Sequence, residues 1–264
     1  MTATARTCKR LLAWLLLALA CVASKAQIQA TPWSYFVPID INAAPKGGKP
    51  IVVMSAQADG PNVPVPASYF AAMGTPRGAV VVVNAAGGWT DAREGHFGRS
   101  LSSAGYAVLG IDSYGPRGVT STLIDNTRLS MFVQARDAFA ARGFLVAQGH
   151  APDRIAVLGT GRAGTVALLA ADRTFMPDEV ERFNLAMAIS PACIFHPVSP
   201  KPAANVYMAL ADMDDLSGLK PCEDLARGFA AAGGNIRVKV YRGASGSFDG
   251  HPAMLRKVQE TFAE

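Results

Sequence analysis

Three runs of β-branched and aliphatic residues constrain this chain more than any other feature: "AVVVVN" (79–84), "YAVLGID" (106–112) and "RIAVLG" (154–159). Each is continuous rather than alternating, as expected of a strand buried on both faces, and each is far too short to span a bilayer. Helical patterns separate them, near 93–104, over about 129–147 and over 165–171, the last apolar on every side. "NLAMAIS", "NVYMALA" and "IRVKVYRG" read as further strands, with helices near 223–232 and 252–262. Ahead of them, Ile51 to Ala56 and Val63 to Phe70 read as strands joined by the turn "ADGPN". Strands alternating with helices predict an α/β protein with a mostly parallel sheet covered on both faces. Ligands of such sheets bind at the carboxyl ends of the strands, which directs attention to the loops at 85–89, 113–119, 159–164, 212–217 and 243–249.

The N-terminus carries a different signal. Arg6, Lys9 and Arg10 precede an uncharged apolar stretch from Leu11 to Val22, and Ser24-Lys25-Ala26 places small residues at −3 and −1. This is the pattern of a secretory signal peptide over residues 1–26, leaving one domain over 27–264 and an exported protein, periplasmic or secreted. Ala18-Leu19-Ala20-Cys21 offers the alternative of lipidation at Cys21. Four of the 25 basic residues lie in the leader and none of the 20 acids does, so the remainder is almost neutral. That balance excludes a charge-driven case for nucleic acid or anionic membrane, and no later segment reads as a membrane span. Cys193 and Cys222 remain beyond the leader; in an exported protein they are expected to pair, two buried thiols being the alternative.

The loop after "RIAVLG" admits two readings. Gly159, Gly161 and Gly164 spell G-x-G-x-x-G between a strand and a helix, the pattern of a dinucleotide-phosphate loop. That reading requires an acidic residue at the end of the next strand, where Ser190-Pro191 stand, and an early position in the fold, which four preceding strands deny. The other reading is a strand–turn–helix elbow of the kind that presents a nucleophile.

The fragments "VVVVNAAGGW", "GYAVLGIDSYGPRGV", "DRIAVLGTGRAGTVALLAA", "SPAC", "ALADMDD" followed by "PC", and "VKVYRGASGSFD" come in an order that resembles the dienelactone hydrolase family. The resemblance implies an α/β-hydrolase fold with no cofactor or metal, acting on a small-molecule ester or lactone. It also assigns positions. The family's G-x-S-x-G or G-x-C-x-G falls on Gly159-Thr160-Gly161-Arg162-Ala163, so the nucleophile position is Gly161. The acid falls at Asp214 and the histidine base at Gly246. The oxyanion hole would use the amide of Arg162 and one from Ala85, Ala86 or Gly87. Trp89, Arg117 and His196 are substrate-binding candidates, Arg117 being equally readable as an arginine that fixes its own loop.

Glycine supplies neither a nucleophile nor a proton acceptor, and both partners of one proton transfer are missing. The sequence therefore predicts a pseudo-hydrolase that binds a small ligand or partner. The alternative is an active ester or lactone hydrolase using displaced residues, with His251 as base. Thr160, Ser245 and Ser247 read as ordinary neighbours of the lost groups. His96, His150 and His196 lack metal-ligand spacing.

Overall fold

In the computed structural model the central strands are held from both sides, as their composition requires. The structure describes residues 45–57, 60–178, 180–195, 199–214 and 218–245, and these fall in one compact unit, Asp40–Glu264. The strands are β1 (Lys49–Ser55), β2 (Val63–Phe70), β3 (Gly78–Val83), β4 (Tyr106–Ile111), β5 (Ile155–Thr160), β6 (Leu185–Ile189), β7 (Asn205–Met213) and β8 (Ile236–Ser245). They form one sheet in the order β1-β2-β4-β3-β5-β6-β7-β8. β2 runs antiparallel to both neighbours and every other pairing is parallel. This is the α/β-hydrolase arrangement that the motif order implied.

Alternation along each strand sorts the core into two layers. Val81, Val83, Leu109, Ile111, Ile155 and Val157 face one side. There they meet α2 (Met131–Ala147), α3 (Arg162–Ala170) and α4 (Leu219–Ala231). Val80, Val82, Val108 and Leu158 face the other side, with Phe97 and Leu101 of α1 (His96–Ser103). Each such side chain removed from water contributes about 1.5–3 kcal/mol, which is why an uninterrupted valine run specifies a central strand. Ser130 caps α2 by accepting from the Phe132 amide at 3.2 Å.

Helix ends differ from the sequence expectation. The helix expected from 93 opens instead with a π-helical turn, Asp91–Gly95, and α1 proper starts at His96. The helix expected from 165 starts at Arg162, immediately after Gly161, and the one expected from 223 starts at Leu219. In both cases a glycine at positive φ reverses the chain directly into the helix, a signal that apolar periodicity does not carry.

Cys193 and Cys222 form a disulfide, Cα–Cα 5.1 Å, tying the segment after β6 to α4. No helix among the described residues is long and apolar enough to cross a membrane. The leader with Cys21, and the helix expected near 252–262, lie outside the described residues.

Candidate active site

The chain turns at the carboxyl end of β5 through Gly161, at φ 55° and ψ −120°, and enters α3 at once. That combination is unfavourable for any residue with a side chain, and it is typical of the strained turn that holds a nucleophile above a sheet. The Gly161 amide donates to the Ile189 carbonyl at 2.8 Å, fixing the turn to β6. A Cβ built on Gly161 meets no atom of the described residues within 4 Å. The flanking glycines serve packing. A Cβ on Gly159 would fall on the Ala163 carbonyl, and one on Gly164 would lie 2.9 Å from the Ile189 carbonyl oxygen.

β3 pairs with β5 in parallel, so the loop after β3 leaves the same edge of the sheet. Glu94, 1% exposed, closes this loop into a ring. Its Oε1 accepts from the Ala85 amide at 3.2 Å, and its Oε2 accepts from the Thr90 amide at 2.8 Å and the Thr90 hydroxyl at 3.1 Å. The Ala85 amide is thereby committed inward. The amides of Ala86, Gly87 and Arg162 have no acceptor among the described residues, the last because it opens a helix. The Ala86 carbonyl is held by the Thr122 amide at 2.9 Å and the Ser121 hydroxyl at 3.0 Å. Of the donors proposed for an oxyanion, Arg162 with Ala86 or Gly87 remain free to act.

Burial pushes the Glu94 carboxyl above its ordinary value of 4.5, against the pull of its amide donors and of Arg93. The folded state then holds a proton that the unfolded chain has lost, so this group's contribution to stability falls as pH rises from about 4.5 through the folded pKa. Glu94→Gln is expected to flatten that part of the profile, measured by denaturant midpoints across a pH series. An unchanged slope would show that Glu94 does not carry it.

Arg117, which the sequence offered for a ligand, is turned inward. Arg117 pairs with Asp137, fully buried on α2, at 2.8 and 3.0 Å, and donates to the Ser113 carbonyl at 2.7 Å. Its geometry is that of the arginine fixing its own loop. Asp112 turns the same loop by accepting from the Tyr114 and Gly115 amides. The Arg162 side chain donates to Gln134 at 3.1 Å and to the Leu129 carbonyl, and Gln134 donates on to the Asn84 carbonyl at 3.0 Å. The half-buried Trp89 ring covers Gly110 of β4, where a Cβ would come within 3.1 Å of it.

Asp214 directly follows β7, half-buried, and its carbonyl accepts from the Gly218 amide at 3.1 Å. Nearby, Asp212 accepts from the Gly243 amide at 2.6 Å, bracing the chain that leads toward position 246. Gly246, His251 and His196 lie outside the described residues. His96 contacts the Ser100 hydroxyl at 3.2 Å and His150 the Tyr69 hydroxyl at 3.2 Å, and no metal-holding cluster occurs among the described residues. Sequence reasoning missed Glu94, Asp137 and Gln134. It also missed Ser190, after β6, whose φ is 45° and whose buried hydroxyl has no partner among the described residues.

A family model described as "Dienelactone hydrolase family" matches residues 65–257, most of the chain. The chain belongs to the dienelactone hydrolase family. Among solved structures it is similar to a putative dienelactone hydrolase from Klebsiella pneumoniae, at 17% identity and TM-score 0.64, over 82% of this chain and 99% of that one. Esterase 2 of Thermogutta terrifontis is also similar. Its form phosphorylated by paraoxon aligns at 15% identity and TM-score 0.61, over 80% and 91% of the two chains. Its butyrate-bound form aligns at 14% and 0.61, over 83% and 94%. At these identities the likeness establishes the fold. No curated protein matches the chain significantly.

Proposed function

We propose that the protein is an exported member of its family that binds a small ester- or lactone-like ligand and does not hydrolyse it. One observation carries this reading: the turn keeps the conformation of an elbow, yet the residue on it is Gly161, with no atom able to attack a carbonyl. The base position, Gly246, lacks an imidazole as well. In a serine hydrolase, removing the nucleophile or its base costs on the order of a million-fold in turnover. Free amides at Arg162 and at Ala86 or Gly87 can still polarise a bound carbonyl, and such a hole with its pocket gives roughly a thousandfold over water. That suffices for binding and orientation and falls short of a dedicated esterase. Export is supported by the leader pattern and the disulfide.

The test uses the mature protein with short-chain p-nitrophenyl esters and a serine-reactive fluorophosphonate. Background hydrolysis and no labelling are expected. Turnover that disappears in His251→Ala would overturn the proposal in favour of a displaced base.

A further inference from the structure

We propose that a groove along α2 binds a small carboxylate with an apolar body. The groove measures about 440 Å³, within the range of small-molecule sites, and is lined from α2 by Phe139, Ala140, Gly143 and Val146. The end of β1 and the segment after α3 complete it, through Met54 and Val180 among others. It shares no residue with the elbow or the oxyanion loop, so its occupancy stands apart from whether the elbow turns over.

The outer stripe of α2 is unusual for a helix facing water. Phe132, Gly143 and Ala147 are exposed and Arg136 and Ala140 half-buried, so a single charged residue marks a face that is ordinarily polar throughout. Beside it lies Arg142, only 4% exposed. Its Nη2 donates at 3.0 Å both to the Pro152 carbonyl and to Glu181, while its buried Nε–H has no acceptor among the described residues. A buried donor without a partner is costly, and a guanidinium accepts a carboxylate best through two parallel bonds. Glu181 provides one bond only, from a side chain that is 66% exposed. A carboxylate of the protein thus already occupies part of the place where a ligand carboxylate would sit. Arg136 lines the same groove and has no ion pair among the described residues. Two guanidinium groups and the single carboxylate of Glu181 leave the groove with a net positive charge against its apolar surface, which complements one negative head and one hydrocarbon or aromatic body. A neutral ligand, or a helix of a second copy laid on Ala140 and Gly143, would bring no negative charge to Arg136 or to the Arg142 Nε–H.

Octanoate and 1-octanol share a body and differ in the head, so they probe the groove directly. Calorimetry on the full chain is expected to show saturable octanoate binding at one site, with octanol weaker by about tenfold or more. Glu181→Gln removes the internal competitor and is expected to tighten octanoate several-fold, whereas Arg136→Gln weakens it. A Cβ on Gly143 meets no atom of the described residues within 4 Å, so Gly143→Phe is expected to fold, fill the groove and abolish binding. Equal affinity for octanol, or octanoate binding that survives Gly143→Phe, would overturn the proposal. So would a wild-type dimer that Gly143→Phe converts to monomer, since the groove would then belong to a second copy.

Discussion

Gly161→Ser combined with Gly246→His is expected to give an esterase at least about a thousandfold more active than the parent on short-chain p-nitrophenyl esters. The backbone at 161 already has the elbow geometry, with φ 55° and ψ −120°, and no atom of the described residues would crowd a side chain there. The Arg162 amide and those of Ala86 and Gly87 have no acceptor among the described residues, so the oxyanion donors need no rebuilding. Serine at 161 alone lacks a proton acceptor and is expected to stay near background. The added side chain brings the strain that glycine avoids, so the double variant should lose about 1–3 kcal/mol of stability. Gly161→Cys supplies a control that needs no base: a thiol on an open elbow is expected to alkylate rapidly with iodoacetamide. A folded double variant with background activity, beside a Gly161→Cys that alkylates, would mean that position 246 does not hold the base.

The second large effect is on folding. Gly159→Ala is expected to destabilise the protein by about 3 kcal/mol or more, because the new Cβ meets the backbone carbonyl of Ala163, which cannot rotate away. Gly161→Ala meets no atom of the described residues and costs its backbone strain, about 1–3 kcal/mol. Denaturant melts of the two variants side by side should therefore separate a glycine kept for packing from one kept for conformation. A Gly159→Ala protein as stable as wild type would mean that β5 and α3 do not approach as closely as described.

Much of this was legible in sequence because it rests on local pattern. The valine run of β3, the strands around it and the elbow at Gly161 are each written in a few consecutive residues. The partners of buried charge were not legible, since they come from distant elements. Arg117 reads equally well as a ligand binder or a loop anchor until α2 folds against it and supplies Asp137. Glu94 looks like an ordinary polar residue at the start of a helix, and only closure of the loop shows its carboxylate bridging Ala85 and Thr90. Arg162 illustrates both cases: its amide role follows from the elbow motif, while its side chain's commitment to Gln134 does not.

The sheet order also sets how the chain must assemble. β3, near the middle, pairs with β4 close by in sequence and with β5 only after the whole of α2 has intervened, Val81 lying beside Val157. No strand on the β5 side has a hairpin partner, so each is added by closing a long crossover before its contacts reward the lost chain entropy. Folding from the reduced chain is therefore expected to be slow and to expose the apolar β5 and β6 segments meanwhile. The bond between Cys193 and Cys222 ties the segment after β6 to α4 across β7, and so braces the far half of the sheet once its strands have docked.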